Sequence, residues 1–216
     1  MQTYIIKNQK DLEKFKDDYG YKIDGNAEFE YSAIFEGRLL VNGYLSIKAG
    51  RFIEAGGFIK AGGFIEAGRS IEAGGSIKAG GFIKTGEFIE AGGSIEAGGF
   101  IEAGWSIKAG ELIEAGGSIE AGGSIEAGDN YGISAVLSIT CKGKLKFGLK
   151  AFAGICTWKN ISDQEKTITC GKFEGGVIEY GVLIETGLPE EKMITLSNGK
   201  KVSESTVIEA LKGLVK

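Results

Sequence analysis

The sequence predicts an all-β protein, a three-sided parallel β-helix of 18 residues per coil with small α/β caps at both ends. The first observation is that fourteen isoleucines follow one another at strict six-residue steps, from Ile47 to Ile125. This period is typical of β-helices, in which each hexapeptide forms a short strand and a turn. The second observation is that Ile and Ala lie two residues apart within each unit, so they share the inner face of a strand. Phe or Ser and Glu or Lys then share the outer face.

The third observation gives the size of the coil. The second glycine of the repeated Gly-Gly pair is replaced at intervals of 18 residues, which places the replacements on common corners of a coil made of three hexapeptides. The replacements are Arg51, Arg69, Glu87 and Trp105 on one corner and Glu111 and Asp129 on a second, while Gly63, Gly81, Gly99 and Gly117 form a third set without replacement.

The Gly-Gly pairs exclude a helix and indicate turns. Two glycines in every six residues would cost a helix about 1–2 kcal/mol per unit relative to alanine. We expect each pair to form a corner in which the backbone adopts positive φ, since glycine does so without steric cost.

The same 18-residue arithmetic predicts stacked columns on the outside of the coil. Rings 18 residues apart should form an aromatic ladder with a spacing of about 4.8 Å. Like charges 18 residues apart should stack in the same way. The predicted ladder is Phe64, Phe82 and Phe100, and the predicted acidic column is Glu54, Glu72 and Glu90.

The repeat becomes less regular at both ends, and this sets the expected boundaries. Upstream, Phe29, Phe35 and Val41 continue the six-residue step, and downstream Ile178 and Ile184 do so after an irregular stretch near 157–167. The expected organisation is a strand-helix cap in 1–28, a β-helix in 29–186 with regular hexapeptides in 47–128 and degenerate coils in 133–186, and a hairpin and helix in 187–216.

The N-terminal cap is predicted from "NQKDLEKFKDDYG". This run reads as a short helix with Asn8 as N-cap, Leu12 and Phe15 on one face and Gly20 as the stop. Caps of this kind cover the unpaired strand edges at the end of a coil.

The C-terminal cap is predicted from two adjoining segments. "MITLSNGKKV" reads as a hairpin around Asn198-Gly199. "SESTVIEALKGLVK" reads as an amphipathic helix with Val207, Leu211 and Leu214 inward. This helix either caps the coil or mediates dimerisation.

Composition excludes several classes of function. The chain has no histidine and a net charge of -4, which argues against Ser-His-Asp and Cys-His chemistry, most zinc sites and a general nucleic-acid binder. Cys141 and Cys170 take the inward alanine slot of the repeat in "ITCG" and are expected to be core residues. We therefore expect no enzymatic activity, no cofactor, no metal and no membrane span, and a location in the cytoplasm.

Three outer surfaces are candidates for binding a partner. Carboxylates dominate the later coils, either as a mimic of nucleic-acid phosphates or as a solvated face, at Glu90, Glu96, Glu102, Glu114, Glu120 and Glu126. Aromatic side chains form either an interface or a surface covered by its neighbours, at Phe52, Phe58, Phe64, Phe82, Phe88, Phe100 and Trp105. A basic run either contacts phosphate or is a solvated strand face, at Lys142, Lys144, Lys146 and Lys150.

The run "GGSIEAGGFIEAG" resembles hexapeptide-repeat β-helix proteins, whose familiar members are acyltransferases. Those enzymes use a catalytic histidine, which this chain lacks, so the resemblance implies the fold and not the activity. The chain is also similar to bactofilins, which are polymer-forming β-helical scaffolds. Finally, the "GSIEAGG" runs with an "ITCG…IEYG" tail resemble small phage and prophage proteins, and proteins of that origin, anti-CRISPR proteins among them, often act against host defences.

These observations lead to two functional expectations. The first is a phage-encoded, non-enzymatic inhibitor in the host cytoplasm that binds a defence nuclease such as a Cas effector. Its binding residues would be the later glutamates together with Phe64, Phe82, Phe100 and Trp105. The second is a self-assembling, bactofilin-like structural scaffold. A homodimer through the exposed Phe face or the C-terminal helix is compatible with the first, and direct nucleic-acid binding is not expected.

Overall fold

A computed structural model describes residues 1–188, 193–195 and 201–203. The N-terminal half contains one α-helix, α1 (Gln9–Leu12), followed by a 3-10 helix at Glu13–Phe15. Its strands in chain order are β1 (Thr3–Ile6), β2 (Lys16–Asp17), β3 (Gly20–Ile23), β4 (Asn26–Phe29), β5 (Ala33–Phe35), β6 (Arg38–Val41), β7 (Leu45–Ile47), β8 (Ile53–Ala55), β9 (Ile59–Ala61), β10 (Ile65–Ala67), β11 (Ile71–Ala73), β12 (Ile77–Ala79), β13 (Ile83–Thr85), β14 (Ile89–Ala91) and β15 (Ile95–Ala97).

The C-terminal half continues the same succession of short strands. A second 3-10 helix lies at Asp163–Lys166. The strands are β16 (Ile101–Ala103), β17 (Ile107–Ala109), β18 (Ile113–Ala115), β19 (Ile119–Ala121), β20 (Ile125–Glu126), β21 (Ile133–Ala135), β22 (Ile139–Cys141), β23 (Lys144–Lys146), β24 (Lys150–Ala153), β25 (Thr167–Cys170), β26 (Lys172–Glu174), β27 (Val177–Tyr180), β28 (Val182–Glu185), β29 (Met193–Thr195) and β30 (Lys201–Ser203).

Within the described residues the strands form three large sheets that wind around one core, which confirms the predicted three-sided β-helix. Every third strand joins the same sheet. Sheet A is β1-β4-β7-β10-β13-β16-β19-β22-β25-β28, sheet C is β5-β8-β11-β14-β17-β20-β23-β26, and sheet B is β2-β3-β6-β9-β12-β15-β18-β21-β24-β27. The pairing is parallel throughout these sheets apart from β2 with β3.

The 18-residue coil is confirmed by the strand register and by the corners. Ile65 pairs with Ile83 and Ile83 with Ile101, so isoleucine stacks on isoleucine inside the coil. At the A–C corner the backbone N–H of Arg69 donates to Arg51, and that of Glu87 donates to Arg69. Trp105 follows on the same corner, where its N–H donates to the carbonyl of Glu87. The isoleucines and alanines of the repeat are buried, as the alternation predicts.

Two residues inserted after β7 correct the predicted register upstream. Leu45, not Ile47, stacks beneath Ile65, and Ile47 stacks beneath Ala67. Phe29, Phe35 and Val41 likewise occupy the alanine slot. In the next coil they pair with Ile47, Ala55 and Ala61, respectively. Side chains two residues apart on a strand point the same way, so an insertion of two residues keeps the same side chains inward. The six-residue step therefore continues unbroken in the sequence although the pairing register shifts.

The predicted role of the Gly-Gly pairs at positive φ is wrong. Among the described glycines of the regular repeats, Gly50 is the one at positive φ. In the pairs from Gly62-Gly63 onward, the first glycine is instead required by close packing between coils. A Cβ on Gly98, for example, would overlap the backbone carbonyl oxygen of Gly80 in the preceding coil. The second glycine has more room, which explains why Arg69 or Trp105 can replace it.

The N-terminal winding begins earlier than residue 29, because β1 and β3 already belong to sheets A and B. Asn8 caps α1 as predicted, and its side-chain Oδ1 accepts from the Asp11 N–H at 3.2 Å. Leu12 is fully buried against the core. The helical segment ends at Phe15 rather than at Gly20, which lies in β3 with a φ of 141°.

The C-terminal coils depart further from the repeat. The irregular stretch predicted near 157–167 is confirmed as the connection between β24 and β25. The prediction for Ile184 is wrong, because Leu183 pairs with the buried Ile168 while Ile184 pairs with the outward Thr169. The corners of this last coil are shorter, which moves the inward position by one residue. Ile178 packs against the core as predicted.

The C-terminal cap is described only in part. The strands of the predicted hairpin are present, with β29 and β30 antiparallel and Met193 opposite Ser203. Its turn at Asn198-Gly199 and the predicted helix with Val207, Leu211 and Leu214 lie outside the described residues. In the described part of the chain, every helix is far too short to cross a lipid bilayer.

Candidate partner-binding surface

The winding assigns each outward Glu or Lys to one of three flat faces. The middle residue of every repeat strand points outward, and residues of successive coils stack in one column per sheet. The sheet A column is Glu66, Lys84, Glu102, Glu120 and Thr140. The sheet B column is Lys60, Lys78, Glu96, Glu114 and Ser134. The sheet C column is Glu54, Glu72, Glu90, Lys108 and Glu126.

The six glutamates predicted as one acidic surface are divided among the faces, two to each. The pairs are Glu90 and Glu126 on sheet C, Glu96 and Glu114 on sheet B, and Glu102 and Glu120 on sheet A. The sequence could not combine them on one side, because their spacing of six residues moves each to the next face.

Lysines in neighbouring coils neutralise three of these carboxylates. Lys84 Nζ lies 3.0 Å from Glu102, and Lys108 Nζ lies 3.3 Å from Glu90. Lys78 forms an ion pair with Glu96. The hydrogen bond to Glu102 raises the pKa of Lys84.

Sheet C carries the longest run of stacked carboxylates. Glu54, Glu72 and Glu90 follow one another in consecutive coils, which confirms the predicted acidic column. They line a shallow groove of about 430 Å³ together with the glycines of the adjoining corner. Stacked like charges destabilise a sheet, and the ion pair between Glu90 and Lys108 in the next coil offsets part of this repulsion.

The predicted aromatic ladder is confirmed and is longer than expected. The Phe64 and Phe82 rings lie 4.9 Å apart, and the Phe82 and Phe100 rings 4.8 Å apart, with nearly parallel planes. Tyr44 extends the stack by one ring at 4.8 Å. The three phenylalanines are half-buried, because each ring covers the face of the next. The ladder occupies the B–A corner, opposite sheet C.

Trp105 lies apart from the ladder, at the A–C corner that borders the acidic column. Its side chain is 38% exposed, and its ring meets Phe88 edge-on at 5.5 Å. Phe88 directly precedes β14 of sheet C. The nominated aromatic residues therefore lie on three corners. The ladder occupies the B–A corner, Phe58 lies on the C–B corner, and Phe52, Phe88 and Trp105 lie on the A–C corner next to the carboxylates.

The basic run is not a single positive face. Lys144 and Lys146 project from β23 in sheet C, whereas Lys150 lies on β24 in sheet B. Carboxylates neutralise all three, with Lys150 Nζ 2.8 Å from Glu179 and Lys144 Nζ 3.3 Å from Glu174. The interpretation as a solvated strand face fits these contacts better than a phosphate site.

Cys141 and Cys170 lie in the core, as the sequence predicts. Both are buried, and Cys141 stacks on Ala121 in the alanine slot. Burial raises the pKa of the Cys141 thiol to about 12, with a further contribution from Cys170. A thiol that stays protonated is a poor nucleophile and a poor metal ligand.

A second apolar surface, which sequence reasoning missed, lies on sheet B toward the C-terminal coils. Leu112, Leu149 and Phe152 line a groove of about 300 Å³. Tyr180 continues it, since it stacks on Phe152 in the outer column and is 48% exposed. Trp158, in the connection after β24, is 67% exposed. The degenerate repeats hid these residues, because their outward positions depend on the shifted register.

Comparison with protein-family models finds no match, and comparisons with curated proteins and with solved structures find none either. The fold itself defines the class of the protein, which is a three-sided parallel β-solenoid built from hexapeptide repeats.

Proposed function

We propose that this protein is a non-catalytic, phage-encoded inhibitor that lays the acidic face of sheet C into the nucleic-acid channel of a defence nuclease, such as a Cas effector. The observation that carries the proposal is the column of Glu54, Glu72 and Glu90, in which three carboxylates stack in consecutive coils. Three carboxylates in a row are complementary to a basic channel, and this complementarity supports the proposal.

The sign and the rigidity of the column suit this partner. Successive coils place a carboxylate about every 4.8 Å, which is wider than the rise of about 3.4 Å between the phosphates of a DNA strand, so the column matches the charge of the phosphates and not their spacing. The solenoid holds this array rigidly, since backbone hydrogen bonds join every coil to the next. A preformed array pays little ordering entropy on binding.

Trp105 and Phe88 supply an apolar anchor at the edge of the acidic face. Aromatic side chains are enriched among residues that dominate binding energy. The Phe64–Phe82–Phe100 ladder lies on the opposite corner and serves the stability of the coil in this proposal.

Charge reversal on matched faces tests the proposal. We expect the wild-type protein to slow DNA cleavage by at least one of a panel of purified Cas effector nucleases, with inhibition that weakens steeply as salt rises. The variant Glu54→Lys/Glu72→Lys should weaken inhibition at least about tenfold, because it removes the charge that the channel recognises. The readout is the inhibitor concentration that halves the cleavage rate.

The control carries the same charge change on another face. Glu66→Lys/Glu120→Lys alters the sheet A column at equivalent repeat positions and should leave inhibition unchanged. The sheet C variant should melt close to wild type, since the lysine at position 72 attracts Glu90 while the lysines at positions 54 and 72 still stack as like charges. Equal loss from both variants, or inhibition of none of the nucleases, would refute the proposal.

A self-assembling scaffold is the second candidate, and the strand edges at the C-terminal end of the described coils favour it. In the described part of the chain, β26, β27 and β28 each end their sheet without a further strand. Unpaired edges of this kind can pair with another copy. Light scattering separates the candidates: filaments that grow with concentration support the scaffold, whereas a small species of fixed size supports the inhibitor.

A further inference from the structure

The outer column of sheet B has a charge pattern that is complementary to itself. Along the solenoid axis it reads Lys60, Lys78, Glu96, Glu114, two positive charges followed by two negative ones. When the column is read in the opposite direction, a glutamate stands at each level where a lysine stood, and a lysine where a glutamate stood.

We propose that two copies of this chain associate face to face through sheet B, antiparallel, about a two-fold axis that passes between the levels of Lys78 and Glu96. The axis runs along the strand direction, so it inverts the order of the coils and keeps each column opposite itself. Lys60 then faces Glu114 of the second copy, and Lys78 faces Glu96 of the second copy. The two-fold symmetry repeats each of these two contacts, so each occurs twice in the dimer, as in any isologous interface.

The neighbouring column fits the same axis. The residues that precede the sheet B strands are Phe58, Ser76, Ser94 and Leu112, an apolar residue at each end and serine between. The two-fold places Ser76 opposite Ser94 and Phe58 opposite Leu112. Phe58 is 38% exposed, and Leu112 lines the apolar groove of about 300 Å³. The groove thus receives the phenylalanine of the second copy.

The axis also passes through the middle of the sheet. In the described residues sheet B has ten strands, and β12 and β15 are the fifth and sixth. The whole face therefore overlaps, over a length of about 48 Å and a width of about 15 Å. This gives about 700 Å² per copy, close to the roughly 800 Å² of a standard stable interface.

The other two faces do not have this property. The equivalent operation about the centre of sheet A pairs Lys84 with Glu102 but places Glu66 opposite Glu120. On sheet C it pairs Glu90 with Lys108 but places Glu72 opposite Glu126. Like charges in direct opposition disfavour association. The dimer leaves the acidic column of sheet C open, so it does not rest on the proposed inhibition.

Sedimentation equilibrium with charge-swap variants tests the dimer. We expect wild type to be a dimer at about 100 µM, and Lys60→Glu to weaken the dimer at least about tenfold, because it creates two Glu–Glu contacts. Lys60→Glu/Glu114→Lys should restore the wild-type affinity, since each pair is complementary again with its signs exchanged.

The matched control has the same composition and the wrong partner. Lys60→Glu/Glu96→Lys should be weaker still than the single variant, because like charges then face each other at both levels and not only at one. Circular dichroism verifies that every variant is folded. A monomeric wild type at about 100 µM, a dimer insensitive to Lys60→Glu, or equal rescue by both double variants would overturn the proposal.

Discussion

Replacing Gly98 by alanine should destabilise the protein by at least about 3 kcal/mol. The reason is the distance between coils and not the backbone dihedral, since Gly98 does not have positive φ. Its added methyl group would overlap the carbonyl oxygen of Gly80, and that oxygen belongs to a backbone fixed by the hydrogen bonds between coils. Urea unfolding followed by far-UV circular dichroism measures the change in the free energy of unfolding.

Gly99 is the matched control in the same pair. A Cβ on Gly99 would lie 3.3 Å from its nearest neighbour, the Phe82 nitrogen, which a small adjustment relieves. Gly99→Ala should therefore change stability by no more than about 1 kcal/mol, in part because alanine restricts the unfolded chain. If the two variants were equally unstable, close approach between coils would not be the reason for the first glycine.

Truncating one isoleucine in the middle of the ladder, Ile95→Ala, should cost about 3 kcal/mol. Ile95 is fully buried and stacks between Ile77 and Ile113, so the cavity has no loose neighbour that could fill it. The same urea titration measures the loss.

Ile184 provides the contrast within the same residue type. It stands six residues after Ile178 and reads as a core position in the sequence, but it lies outward and is 43% exposed. Ile184→Ala should therefore cost about 0.5 kcal/mol or less. A loss as large as that of Ile95→Ala would mean that the last coil keeps the six-residue register.

The regular coils could be predicted because each hexapeptide repeats the same arrangement, with Ile and Ala inward and glycine at the corner. Replacements at 18-residue intervals, such as Arg51 and Arg69, identified the three-sided coil before any strand pairing was known. The insertion after β7 could not be located in this way, because Ile47 and Ile53 remain six residues apart and two extra residues preserve the inward face. The insertion after β20 is visible in the sequence, since the step from Ile125 to Ile133 is eight residues.

The candidate site was predicted less well than the fold. The stacked Glu54, Glu72 and Glu90 follow directly from the coil length. The later glutamates do not form one surface, because the position of a residue within the coil, and not its order along the chain, decides the face on which it lies. The 18-residue step assigns every outward residue to its column and so gives the order of charges on sheet B.

The most direct test of the account is the distance between two outward residues of one column, because every surface described above depends on the stacking of coils. Spin labels at Ser46→Cys and Thr140→Cys, with Cys156→Ser and dilution by unlabelled protein, report it by double electron–electron resonance. Five coil steps in the sheet A column separate the two positions, so their backbones should lie about 24 Å apart. A separation near 38 Å, as for coils of about 12 residues, would contradict the three-sided winding and the faces built on it.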